Sequence, residues 1–269
     1  MTSHAAIGDR FRDQGYCAPI RVMSEEEARR YRAQLEDSER RRGRPLNLEE
    51  RHKPHLLFRW AADLVRHPAV LDAVEPIVGP NLLVWDVTLF TKEAGGREHL
   101  TWHQDLAYWG LDPGDQVITA WIALSPSTVE SGCMRVVRGS HRLPIKPHVN
   151  SDDPTNLLGR GQTVQAPIDP AEIVDVVLQP GEMSLHGVNI IHGSESNRSS
   201  DRRIGFGIRY FPPHVRQTAP VRDTAYLARG VDPYGHFDLE HEPAVSDSPE
   251  AHAAHAAARA QRKLVKGYI

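Results

Sequence analysis

The chain has 269 residues, 40% hydrophobic and 25% charged, with a formal net charge of -3. This composition suits a folded globular protein and carries no electrostatic footprint for nucleic acid. Two cysteines far apart, Cys17 and Cys133, argue against a disulfide scaffold and fit a reducing cytoplasm. No apolar run approaches the ~18 residues of a membrane span, and the N-terminus lacks the apolar core of a signal peptide.

The length is compatible with one large domain, since sandwiches and barrels of roughly 200–250 residues stand as single units. Ser24-Glu25-Glu26-Glu27 reads as a capping box that opens a helix, with Ala28, Tyr31 and Leu35 on one face. Glu25 with Arg29, and Glu26 with Arg30, add pairs one turn apart on the exposed side. The helix fades into the Arg-rich run 40–44, read as a solvated end. Residues 45–59 form a mixed loop, and two short helices follow, the second opened by Pro68 and closed at Gly79.

The texture then changes. Leu82–Thr91, Val117–Leu124, Cys133–Val137, Ile173–Leu178, Met183–Ile191 and Ile204–Phe211 are short runs rich in Val, Ile, Thr and aromatics, separated by Gly, Pro, Asp and Ser turns. Such punctuation predicts an antiparallel sandwich or barrel, with the helical N-terminal third packed outside it. Residues 138–172 lack periodicity, and a loop that long is expected to lie over a pocket mouth. From Val215 to Val245 the chain reads as irregular. Ser248-Pro249-Glu250 then caps an Ala-rich helix through about Leu264.

Three segments carry chemistry. In Thr101-Trp102-His103-Gln104-Asp105, an imidazole and a carboxylate two residues apart point to the same side of a strand or its exit turn. A third ligand from a distant strand would complete a two-His, one-carboxylate face of the kind that holds non-haem iron(II) and leaves positions open. His192 ends the apolar run Val188–Ile191 and is preferred as that ligand because a turn follows it directly. His186, six residues earlier on what reads as one strand, is the competitor. Arg203 opens a strand that reads as the partner of the preceding one, and its guanidinium suits the far carboxylate of a dicarboxylic acid. Gly205 and Gly207 share its parity and are expected to leave room for a ligand. Trp102, Tyr108 and Trp109 are bulky enough for a pocket wall.

In this order the segments resemble the phytanoyl-CoA dioxygenase family of iron(II)- and 2-oxoglutarate-dependent oxygenases, from roughly Phe11 to Pro213. The telling parts are Trp102–Leu106, Thr119–Leu124, Glu130–Met134 leading to Gly139-Ser140-His141, His192-Gly193-Ser194 with Asn197, and Arg203. The Gly139 turn departs from the family pattern in having Arg138 in place of a proline, at a structural position.

The resemblance implies a mainly β, α+β fold: a double-stranded β-helix (jelly-roll, cupin-like) core over residues 81–213, a helical part over 1–80 and a C-terminal extension over 214–269, all in one domain. It also implies that His103, Asp105 and His192 hold Fe(II), and that Arg203, Ser194, Trp121 and Thr88 contact 2-oxoglutarate. Substrate-pocket candidates are Gln104, Tyr108, Trp109, His186, Asn189 and Arg209, the last suited to an anionic group. The implied reaction uses O2 and converts 2-oxoglutarate to succinate while hydroxylating a small-molecule metabolite. Desaturation, epimerisation or cyclisation could draw on the same metal chemistry, and the intact ligand set argues against a non-catalytic relative. One branch of the family replaces the metal carboxylate with a small residue to admit chloride, and Asp105 argues against that outcome here. Arg51, Lys53 and Lys92 are the basic residues that could serve a CoA group.

Overall fold

The computed structural model describes residues 4–158 and 161–267. The main strands, in chain order, are β1 (Tyr16–Arg21), β2 (Leu82–Lys92), β3 (Leu100–His103), β4 (Ile118–Ala123), β5 (Met134–Val137), β6 (Ile173–Val176), β7 (Glu182–Gly187), β8 (His192–Ser194), β9 (Arg203–Phe211), β10 (Thr224–Arg229) and β11 (Asp238–Glu240). The large sheet has the order β1-β7-β4-β9-β2-β10-β11, and the small sheet β3-β8-β5-β6. Pairings are antiparallel except for β10 with β11. From β2 to β9 the chain alternates between the sheets, with only β5 and β6 consecutive in one of them. That alternation is the double-stranded β-helix expected from the family pattern.

Among the described residues, six α-helices accompany the sheets: α1 (His4–Gln14), α2 (Glu25–Arg42), α3 (Leu48–Arg51), α4 (Arg59–Val65), α5 (Pro68–Val78) and α6 (Pro249–Lys266). Ser24 Oγ accepts from the Glu27 amide at the start of α2, and Gly43 ends it at φ 66°, a left-handed turn that glycine adopts without steric cost. Side-chain alternation on the large sheet decides what goes where. Ile204, Phe206, Ile208 and Tyr210 of β9 join Ile118, Ala120 and Ile122 of β4 against Leu64, Val65, Val70 and Val74 of α4 and α5. Each such buried aliphatic or aromatic side chain contributes about 1.5–3 kcal/mol. The opposite parity (Arg203, Gly205, Gly207 and Arg209) faces the space between the sheets, where Trp121, Ala123, Met134, Val136 and Val176 form a smaller cluster.

Four expectations are corrected. The run Met183–Ile191 is not one strand: β7 lies in the large sheet and β8 in the small one, so His186 and His192 do not share a strand face. The strand of Arg203 pairs with β2 and β4, not with the strand that precedes it. Inside the helical third, β1 forms an edge of the large sheet, a place that tolerates Pro19 because no ladder partner is needed on its outer side. The segment read as irregular contributes β10 and β11 to the same sheet.

Where β9 passes β2, Arg209 faces Asp86 but Tyr210 faces Val84, leaving Trp85 as the extra residue of a bulge. Bulges re-aim side chains, and this one turns both Trp85 and Asp86 toward the cavity.

Candidate metal centre and co-substrate pocket

His103 ends β3, Asp105 opens the turn after it, and His192 starts β8, the neighbour of β3, with His192 directly opposite His103. One ligand atom from each of the three side chains lies within 4.8 Å of the other two. His103 Nε2 is 3.4 Å from Asp105 Oδ1, and the two imidazole centroids are 4.1 Å apart. His103 Nδ1 is 2.8 Å from the Thr101 carbonyl, and His192 Nδ1 is 3.1 Å from the Ile190 carbonyl. A carbonyl only accepts, so each Nδ1 carries the proton and each Nε2 lone pair faces the cluster, the tautomer a metal needs.

The electrostatics suit a dication. Burial alone would raise the Asp105 carboxyl, but the two imidazoles beside it, His103 and His192, and the Arg209 guanidinium outweigh it and hold the group ionised far below the usual carboxylate range. Burial, with His103 beside it, pushes His192 down to about 4, so its imidazole is neutral and able to ligate at neutral pH.

A second constellation lies on the same cavity. Arg203 is 2% exposed, stacks over the Trp121 ring at 5.2 Å, and donates through Nη1 to the Gly132 carbonyl at 3.1 Å. Its Nε and Nη2 are buried with no hydrogen-bond partner. Burial pulls the guanidinium down to about 10, which still leaves it charged at neutral pH. A buried cation with two idle donors calls for an anion.

Lys92, cross-strand from Arg203, donates to Ser194 Oγ at 2.7 Å and to the Glu195 carbonyl. Burial first, and Arg203 second, press its ammonium down to about 6.

Trp121 also fills space that sequence parity had left open. A Cβ on Gly205 would come within 1.8 Å of the indole, so that glycine makes room for Trp121 and not for a ligand.

The ligand cluster, Arg203, Ser194, Trp121 and Thr88 all line one cavity of about 380 Å³. Among the pocket candidates, Trp109, His186 and Arg209 line it. The His186 and His192 rings approach to 5.0 Å although they belong to different sheets. Gln104 and Asn189 do not face it. Gln104 is buried, donating to the Asn189 carbonyl and accepting from the Lys146 amide, so it ties loops together. Asn189 faces a separate cavity beside Phe11 and His141. The side chain of Tyr108 lies outside the described residues. Thr88 accepts from Arg209 Nη1 at 2.6 Å, which ties its hydroxyl to that arginine.

Of the basic residues considered for a CoA group, Lys53 and Lys92 are fully buried and occupied, Lys53 by Glu240 and Thr224. Arg51 donates to the Leu46 carbonyl. The long segment 138–172 does reach the cavity, through Leu157, Leu158 and Gln162. Its Gly139 turn is structural, with Ser140 Oγ accepting from the Ile191 amide beside β8.

Several lining residues escaped the sequence reading: His52, Asp86, Phe90, Thr119, Arg259 and Lys266. Two signals were present. Asp86, Thr88 and Phe90 alternate inside an apolar strand, and Arg259, Arg262 and Lys266 recur at helical spacing on an Ala-rich helix.

A family model described as Phytanoyl-CoA dioxygenase (PhyH) matches residues 11–205. The chain belongs to this family. Within it, the chain is 28% identical to the peroxisomal phytanoyl-CoA dioxygenase of Rattus norvegicus over 159 residues, 57% of this chain and 45% of that protein. The chain thus spans about half the length of that relative. The L-proline trans-4-hydroxylase of Streptomyces griseoviridis is 27% identical over 261 residues, covering 86% of this chain and 95% of its own. Among solved structures, the apo form of the non-heme monooxygenase ThoJ superposes with a TM-score of 0.87 at 34% identity, covering 97% of each chain. The nickel complex of ThoJ gives 0.81 at 33% identity, covering 97% of this chain and 98% of that one.

Proposed function

We propose that this PhyH-family chain is an Fe(II)- and 2-oxoglutarate-dependent dioxygenase that hydroxylates a small-molecule metabolite, with residues 1–269 acting as one catalytic unit. The observation that carries the reading is Arg203, a buried guanidinium with two idle donors on the same cavity as a His-Asp-His cluster. The donor set fits the metal: two neutral imidazoles with their lone pairs turned inward and one ionised carboxylate. The nickel complex of ThoJ supports metal occupancy on this fold.

His103, Asp105 and His192 would hold iron(II) on one face. Arg203 would receive the far carboxylate of 2-oxoglutarate in bidentate fashion, with Trp121 as the wall behind it and Ser194 beside it. Lys92 orients the Ser194 hydroxyl, and an arriving carboxylate favours its charged form. Thr88 stands between this end and Arg209. The bound metal, with 2-oxoglutarate and O2, supplies an oxidant as 2-oxoglutarate is decarboxylated to succinate. The protein excludes water and aims the substrate. Asp105 keeps the carboxylate that would have to be absent to admit a halide, which favours hydroxylation over halogenation.

No helix among the described residues is long and apolar enough to cross a membrane. Two buried free thiols, Cys17 and Cys133, suit a reducing compartment, and we assign the enzyme to the cytoplasm.

Under anaerobic conditions, Fe(II) with 2-oxoglutarate is expected to give a weak visible charge-transfer band that His103→Ala and Asp105→Ala abolish. A wild-type protein with no band, and no succinate when air is admitted with candidate substrates, would sink the oxygenase reading.

A further inference from the structure

Beyond the co-substrate end, the inner face of the large sheet carries a row of four polar residues in register on neighbouring strands. His186 of β7 faces Thr119 of β4, Thr119 faces Arg209 of β9, and Arg209 faces Asp86 of β2. The row starts beside the metal cluster, where the His186 ring meets that of His192. Arg209 stands two strands further on, a spacing of ~10 Å.

Arg209 is held like a receptor. It is 9% exposed, and its guanidinium carbon lies 5.3 Å from the Phe90 centroid and 5.7 Å from that of Trp109. Nη1 is fixed by Thr88 Oγ1, while Nε is buried with no partner. Asp86, its cross-strand neighbour, does not pair with it. Asp86 Oδ1 accepts from the Val87 amide and Oδ2 points toward His52 at 3.9 Å. Among the described residues no carboxylate lies within ion-pair distance of Arg209. A guanidinium close to two aromatic rings, with one nitrogen fixed and another buried without a partner, is organised for a planar anion.

The surrounding cavity narrows the class. Its walls at this end are the aromatic rings of Trp85, Trp109 and Phe90, and Arg259 and Lys266 of α6 also line it. The whole cavity, about 380 Å³, must also take the co-substrate. A compact organic acid with an apolar body fits such a space better than a phosphate ester does. We propose that Arg209 receives the carboxylate of the substrate, so that the enzyme oxidises a small organic acid at a carbon several bonds away from that carboxylate. The position of the oxidised carbon rests on the oxygenase reading; the binding of the acid does not.

The test is equilibrium binding with anaerobic Fe(II) enzyme whose co-substrate site is filled with N-oxalylglycine, an inert analogue of 2-oxoglutarate. Intrinsic tryptophan fluorescence, with Trp85 and Trp109 in the pocket wall, reports the addition of butyrate, hexanoate and octanoate, each against its primary amide. At least one acid is expected to give a saturable response at least about tenfold tighter than its amide. Arg209→Gln should abolish that preference, and Arg209→Lys, which keeps the charge and loses the fork, should restore only part of it. No acid exceeding its amide on the wild-type protein, or an unchanged preference in Arg209→Gln, overturns the proposal. So does a phosphate arm, hexyl phosphate, that binds more tightly than hexanoate. Replacing N-oxalylglycine by 2-oxoglutarate in the same samples separates the two claims. A charge-transfer band without acid preference rejects the Arg209 assignment alone, whereas acid preference without a band rejects the oxygenase reading alone.

Discussion

Arg262 of α6 lies over the ring of Trp85, its guanidinium carbon 3.8 Å from the centroid, and donates to the Trp85 carbonyl at 2.8 Å. Its Nε is 3.2 Å from Asp223, which is fully buried and also accepts from Trp85 Nε1. The C-terminal helix is thereby fastened to the bulge of β2 that forms one wall of the cavity. Substituting Arg262→Ala leaves Asp223 as a buried carboxylate without its cation, and breaking such a pair costs about 3–5 kcal/mol. Thermal denaturation should show a fall of at least about 6 °C. By contrast Arg259→Ala, which releases the half-exposed Glu49, should cost under about 1 kcal/mol. Equal losses in both variants would show that α6 is not fastened through Arg262.

The two candidate histidines can be told apart by metal content alone. His192→Ala, like His103→Ala and Asp105→Ala, removes a donor atom from the 4.8 Å cluster. Each should weaken iron binding more than the roughly 10–100-fold typical of losing an outer-shell partner. His186→Ala removes only a neighbouring ring and should retain one iron per chain by equilibrium dialysis. Retention by His192→Ala with loss in His186→Ala would reverse the assignment.

Gly205 offers a steric probe of the proposed co-substrate end. Gly205→Ala sets a methyl against the Trp121 indole, the platform under Arg203. Overpacking of this kind costs about 1–3 kcal/mol. The expected signature is a modest loss of thermal stability together with a raised KM for 2-oxoglutarate, because displacing Trp121 misaligns Arg203. A variant whose KM is unchanged would mean that the indole does not position the guanidinium.

Acid stability should depend on Glu240. Burial would raise this carboxyl, but the charge of Lys53 and the hydrogen bond from His55 outweigh it and hold its pKa at about 2, against 4.5 for a free glutamate. A carboxylate depressed on folding stabilises the native state above its unfolded pKa and loses that contribution as pH falls toward the folded one. Denaturation free energy should therefore drop between about pH 4.5 and 2 by an amount on the order of 3 kcal/mol. In Glu240→Gln that part of the slope should flatten, at the expense of lower stability at neutral pH, where Lys53 is left without its counter-charge. An identical acid limb in wild type and variant would assign the loss to other carboxylates.

How far the sequence led depends on how local each determinant is. The cap at Ser24, the Ala-rich helix after Ser248 and the alternation of β9 were legible because periodicity and capping act over a few residues. So was the His103, Asp105 and His192 trio that the fold brings within 4.8 Å, since His103 and Asp105 are two residues apart and His192 stands at a strand end. The amino-acid sequence by itself determined the family, the core strands and the donor set of the candidate metal face. Only the tertiary structure decided which strands are neighbours. It ended the strand of the run from Met183 to Ile191 at Gly187 and placed His192 in the other sheet, brought β10, β11 and α6 back to the core, and turned Gly205 from open space into a seat for Trp121. These are pairings between residues far apart in the chain, where loop closure and packing compete and no local pattern records the outcome. Arg209 shows the division most plainly. Its parity with Arg203 is written in the chain, while its two aromatic neighbours, its place in the polar row and the helix that lines the same cavity exist only once the sheets have closed.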